Sequence, residues 1–262
     1  MLLKPFSPID RPELPKDPSS APTPTLWRYG VQLFIAFVLV EGALWSSTAF
    51  GIVLWSAAAV AWMLLTTLIP AHSRADLGLS WTGLRGSWLL PLSIACAGAA
   101  VGFAWYSGTL HPAFGSSTRP WHYAVYAFWA LGQQFILQSY FFVRLEHLLA
   151  SSSRAVIVCA LLFALVHLPN HFLALITFVG GLVFCDVFRK YRSIYPLGVA
   201  HAVWGLCIAV TLSSDLHHNM RVGRGFLNDV SSASTAQTID KERTYTPRQA
   251  GRISAANVFA TP

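Results

Sequence analysis

Gly132–Leu149 reads GQQFILQSYFFVRLEHLL. The stretch lies inside a long apolar run, yet it carries Gln133, Gln134 and Gln138. Gln134 and Gln138 are four residues apart, so a helix places both on one face. Gln133 stands about 100° round from Gln134 and shares its face with Trp129 and Tyr140. Carboxamides in hydrocarbon need partners, because no water is present to satisfy them. One reading is helix–helix glue, worth about 0.6 to 2 kcal/mol per hydrogen bond. The other is a polar site set into a membrane.

Composition decides the surrounding medium. Of 262 residues, 54% are hydrophobic and only 11% are charged, and the mean hydropathy is +0.51. A soluble domain carries about 25% charged residues. The chain is therefore read as all-α, a polytopic transmembrane helix bundle. A 30 Å hydrocarbon core takes about 20 apolar residues per helix. About seven runs qualify, near 28–46, 48–69, 88–107, 121–146, 154–168, 170–188 and 194–213. The net charge of +7 could suggest nucleic acid. However, the basic residues sit in short clusters between apolar runs, as juxtamembrane charges do, so no nucleic-acid partner is expected. Lys4, Arg11, Lys16, Arg28, Arg74, Arg85, Arg144, Arg154, Arg189, Lys190 and Arg192 fall on one side, against Arg119 on the other short loops. This favours an inside N-terminus and a multi-pass protein of the plasma (inner) membrane.

Three domains are expected: a disordered cytosolic leader over 1–25, the bundle over 26–213, and a polar disordered tail over 214–262. Between the second and third runs, Ala75–Trp88 alternates Leu77, Leu79, Trp81 and Leu84 with polar residues and reads as an interfacial segment. Cys96, Cys159, Cys185 and Cys207 lie in apolar runs without CxxC spacing and read as buried apolar side chains.

Three further polar features sit among the apolar runs. In FALVHLPNH, His167 closes the fifth run before Pro169, and His171 opens the next. Two histidines four apart can ligate a metal, but Pro169 interrupts the helix and no HExxH glutamate is present, so helix-end histidines facing water are the plainer reading. In GVAHAVWG, His201 falls within the seventh run, as a packing residue or as part of a site with His167. Asp186 lies near Arg189, Lys190 and Arg192 and reads as a paired interfacial carboxylate.

The order of these residues resembles the CAAX prenyl protease and bacteriocin-processing (CPBP, or Abi) family of intramembrane endopeptidases. The resemblance runs from about Asp76 to Leu212. It rests on Gln133, Gln134 and Gln138 in place of EExxxR, on Phe163 and His167 as FxxxH, and on His201 with Gly205 in place of HxxxN. It implies a catalytic set of His167, His201 and Gln133 or Gln134, with Gln138, Phe163 and Gly205 in binding or structural roles. In that family a glutamate and the first histidine activate water, and the second histidine and the asparagine stabilise the oxyanion. The implied activity is hydrolysis of membrane-associated or lipidated peptides, with membrane lipid and such a peptide as partners. No metal is expected with assurance, and zinc through His167 and His201 stays open.

The departures bear on the chemistry. A carboxamide cannot accept a proton as a general base. Loss of one oxyanion donor costs about 3 to 4 kcal/mol. Yet all three charged positions are neutral together, which keeps a packed polar core and strands no buried charge. An enzyme using a histidine base and an inactive pseudo-protease that binds a membrane peptide both remain open. A transporter is disfavoured by the lack of an inverted repeat or broken-helix pair.

Overall fold

The computed structural model describes residues 23–68, 74, 76–79, 81, 88–112, 119–232 and 234–235. Helix α1 spans Thr23–Trp45, α2 Ala49–Leu68 and α3 Leu89–Tyr106. One unbroken run then comprises α4 (Pro120–Gln134), a π-helix (Phe135–Phe142) and α5 (Val143–Leu149). Next come α6 (Ser152–Leu165), α7 (His171–Tyr191) and α8 (Tyr195–Thr211). A short α9 (Ser214–His217), a 3-10 turn (His218–Met220) and a helix α10 over 223–232 follow.

The all-α class holds among the described residues, where the one β-pairing is an isolated bridge between Leu79 and Ser193. Each of the seven apolar runs is helical. By length and composition four helices suffice to cross a membrane, Leu26–Trp45, Ala49–Leu68, Leu89–Tyr106 and His171–Tyr191, while α6 and α8 are shorter. Only 11% of the apolar window of α1 or of α2 is buried within protein, so the rest of those faces belongs in lipid.

Local chemistry sets the helix ends. Pro120 opens α4 at a position where a missing N–H costs nothing. Ser151 caps α6 by accepting from Arg154 N, and Asn170 caps α7 by accepting from Leu173 N. Ala150 and Arg192 end α5 and α7 in the left-handed conformation.

Small residues set how closely the helices approach. A Cβ on Gly181 would stand 3.1 Å from Ala160 Cα, which brings α7 onto α6. A Cβ on Gly198 would stand 3.0 Å from Leu131 Cα, which brings α8 onto α4. The π-helix lies at the centre, with six consecutive residues, Leu137–Phe142, all buried. A helix buried all round must be apolar or internally paired. Ser139 accordingly donates to Leu77 O at 2.6 Å.

Arg144 fastens α1 and α2 to this centre. It is fully buried, and its acceptors are all neutral: Nε donates to Gln32 Oε1 (3.0 Å), Nη1 to Tyr140 O (3.1 Å), and Nη2 to Thr66 O (3.0 Å) and Thr67 Oγ1 (3.1 Å). The Tyr140 ring lies 3.7 Å beneath the guanidinium.

Two expectations change, and one gains detail. The segment read as interfacial is pinned to the α7–α8 turn: Leu77 and Gly78 are buried, Ile194 N donates to Gly78 O, and Trp81 stacks on Tyr195. Leu84 lies outside the described residues. Cys96 is exposed on α3, whereas Cys159, Cys185 and Cys207 are buried. Within the span read as a polar tail, residues 214–220 and 223–232 are helical, and residues 213–223 are strapped to the α6–α7 turn. Asn170 Nδ2 donates to His217 O (3.0 Å) and Arg221 O (3.1 Å), and Gly223 N donates to Leu168 O (2.9 Å). The leader over 1–25 falls outside the described residues up to Thr23, where α1 begins.

Two outcomes follow from these contacts. Arg144→Met strands buried acceptors at about 1 to 3 kcal/mol each, so thermal unfolding in detergent should show a loss of at least about 2 kcal/mol. Arg144→Lys should recover only part of it, because an ammonium lacks the planar fork. In the strap, burial and the nearby His111 and His218 hold His217 below the usual histidine pKa, although its bond to Leu212 O opposes them. The open strap therefore binds more protons, so its closure is fully stabilised above about pH 6.5 and weakens as pH falls below that value. Amide exchange over 213–223 should be faster at pH 5 than at pH 7.5, and His217→Gln should flatten that difference.

Candidate active site

The run from α4 into the π-helix places Tyr126, Ala130, Gln134 and Gln138 four residues apart along one row. Gln138 and Gln134 are fully buried. Gln138 Nε2 donates to Gln134 Oε1 at 3.2 Å, and Gln134 Nε2 lies 3.1 Å from His201 Nδ1 on α8. As the amides are oriented, Gln134 donates to Nδ1. A neutral His201 then carries its proton on Nε2.

His167 is set the opposite way. Its Nδ1 lies 2.6 Å from Phe163 O, one turn back, where α6 ends before the α6–α7 turn. A carbonyl oxygen only accepts, so Nδ1 carries the proton and Nε2 presents a lone pair. Phe163 stands against both imidazoles, 4.9 Å from His167 and 5.9 Å from His201 between ring centroids and edge-on to each. Phe184 of α7 adds a second wall against His201 at 5.9 Å. One apolar-walled place therefore offers a basic nitrogen from His167 and an N–H donor from His201.

Gln134, Gln138, Phe163, His167 and His201 thus come together. Gln133 is half-buried and stands outside the hydrogen-bonded chain. His171 is exposed at the first turn of α7, and Asp186 pairs with Arg189 and with Lys190 (2.8 Å) away from the imidazoles. Gly205, one turn beyond His201, is buried, and a Cβ there would stand 1.8 Å from the Tyr126 hydroxyl oxygen. The tyrosine therefore fills the volume that a side chain at 205 would take.

A zinc site does not fit these residues. Both Nδ1 atoms are already engaged, which leaves two imidazole nitrogens, and no third histidine, cysteine or carboxylate joins them among the described residues. Zinc takes three or four such ligands.

Sequence reasoning missed Tyr126 and the π-helix. The spacing of Tyr126 from Gln134, two steps of four, was available as a signal. The π-helix has no comparable mark, although such turns gather at functional sites.

By composition and helix length the chain is an integral membrane protein, helical among its described residues, in which Gln134, Gln138 and Phe163 are gathered around two imidazoles. Residues 115–207, about a third of the chain, match the family model described as Rce1-like, Type II CAAX prenyl endopeptidase Rce1-like. The likeness to CAAX-type intramembrane proteases read from the motifs is shown over that segment, which contains every residue named in the site. No curated protein and no solved structure matches the chain.

The close fit of Tyr126 into Gly205 is testable by a double-mutant cycle. Gly205→Ala should cost about 1 to 3 kcal/mol through overpacking. Tyr126→Ala should make room for the new methyl, so the double variant should be more stable than the sum of the single losses by about 0.5 to 3 kcal/mol in denaturation assays.

Proposed function

We propose that the chain is an endopeptidase that hydrolyses peptide bonds of membrane-associated or lipidated peptides, with His167 as general base and His201 as electrophilic donor. The observation that carries this reading is the pair of imidazoles set edge-on against one Phe163 ring, with Nδ1 of His167 on a carbonyl and Nδ1 of His201 on an amide.

The step balances without a carboxylate. His167 Nε2 takes a proton from water as the water oxygen attacks the scissile carbonyl carbon. The carbonyl oxygen becomes an oxyanion and accepts from His201 Nε2–H. The tetrahedral centre then collapses and the C–N bond breaks. The leaving nitrogen takes the proton from the His167 imidazolium. Phe163 O holds His167 in its tautomer through Nδ1–H, the orienting part that a buried carboxylate plays in a serine protease triad. A neutral carbonyl supports the imidazolium less than a carboxylate would, so slow turnover is expected. Gln134 and Gln138 hold His201 through hydrogen bonds and take no proton.

The neutrality of the site favours one second reading. A pocket with amides at all three motif positions suits a pseudo-protease that binds a membrane peptide without cutting it.

Cleavage by purified protein in lipid nanodiscs separates the two. For the enzyme, wild-type protein should cleave a fluorogenic lipidated peptide, and His167→Ala should abolish turnover above background. Gln134→Leu should lower kcat about tenfold with little change in KM, and should shift the His201 tautomer seen by nitrogen-15 NMR. For the pseudo-protease, wild type should be silent, and the triple change Gln133→Glu, Gln134→Glu and Gln138→Arg should introduce cleavage. Equal cleavage by wild type and His167→Ala would end the proposal.

A further inference from the structure

We propose that the Tyr126 hydroxyl is a second hydrogen-bond donor to the substrate carbonyl oxygen, acting beside His201 Nε2–H. The assignment rests on the hydrolytic reading above and adds to it a residue from a different helix.

Geometry carries it. His201 and Gly205 are one turn apart on α8, so their Cβ positions lie about 5 to 6 Å from each other on one face. The Tyr126 hydroxyl oxygen stands 1.8 Å from the Cβ position of residue 205, with Cζ at 2.8 Å. The phenol oxygen is therefore delivered to the surface of α8 one turn from His201. Only a residue without a side chain at 205 permits this approach, because any Cβ would displace the hydroxyl.

The same helix face supplies the rest of the arrangement. Tyr126, Ala130, Gln134 and Gln138 form one row, which meets α8 at two points, Tyr126 at Gly205 and Gln134 at His201, with Leu131 beside the row at Gly198. Ala130 is fully buried and adds no bulk between the phenol and the amides. A phenolic O–H takes either of two orientations in the ring plane, so its proton can switch from its resting partner when an oxyanion arrives. The oxyanion would then accept from an imidazole N–H and a phenol O–H. Neither donor changes its charge when the negative charge develops.

Tyr126→Phe keeps the ring and its packing against Gly205 and removes one oxygen. The experiment uses the full chain in nanodiscs, a fluorogenic peptide with a farnesylated cysteine near its C-terminus, and a phosphinate analogue of that peptide as a tetrahedral mimic. The expected result is a fall in kcat of about 10²-fold, the scale seen for one oxyanion donor, with KM within twofold. The phosphinate Kd should rise by a similar factor, while the Kd of the uncleaved peptide stays unchanged. Unchanged kcat and phosphinate affinity would overturn the assignment. Equal weakening of peptide and phosphinate would also overturn it, since a packing role predicts that pattern. If wild type does not cleave, the hydrolytic reading fails separately. The donor assignment then stands only if wild type prefers the phosphinate and Tyr126→Phe loses that preference, and it falls otherwise.

Discussion

The controlling constraint is the hydrocarbon around the bundle, which offers no hydrogen bonds. Every buried polar group must find its partner within the protein. Arg144 shows the demanding form of this rule, because it is a full charge with no carboxylate beside it. Four neutral acceptors from α1, α2 and its own helix surround it, and a tyrosine ring lies beneath. Spreading one charge over several dipoles avoids a second buried ion, whose desolvation can outweigh its attraction. The same network joins the first two helices, which lie outside the family match, to the segment that contains the site.

The glutamine row obeys the same rule in neutral form. Two amides in series reach from the interior of the π-helix to His201. An amide has a donor at one end and an acceptor at the other, so a chain of them has a direction. That direction decides which imidazole nitrogen carries the proton. The amide row is not fully paired, however: among the described residues Gln138 Oε1 is buried without a partner. Such an atom costs about 1 to 3 kcal/mol, and it sits where the helix departs from α geometry.

Much of this was legible in the sequence, and the limits have physical causes. The lipid-facing helices are legible because their composition meets a solvent requirement with no alternative. The pairing of Gln134 with Gln138 follows from a spacing of four. That His201 would be their partner is implied by need alone, since a membrane imidazole and a membrane amide both lack water. Tyr126 escaped because its role depends on what residue 205 lacks, and a glycine in an apolar helix has many uses. The strap over 213–223 escaped because its hydrogen bonds are made by backbone carbonyls of polar, aperiodic sequence. Periodicity reports apolar faces and is blind to a segment held by its main chain.

That strap bears on how the proposed base, His167, is held. His167 lies at the end of α6, where a helix would ordinarily fray and leave carbonyls unpaired. Here the turn after it is closed from outside, by Gly223 N on Leu168 O and by the Asn170 amide on His217 O and Arg221 O. Asn170 also caps α7 through Leu173 N, so one side chain joins the strap to the following helix. The imidazole proposed as the base is thus held twice, by Phe163 O one turn back and by a turn that is tied to the strap. On the hydrolytic reading, a base positioned this way would lose little orientation entropy when it acts, which matters most where no carboxylate strengthens it. The neutral site and the ordered C-terminal segment are on this account two parts of one device: what the amides do not supply in charge, the strap supplies in placement.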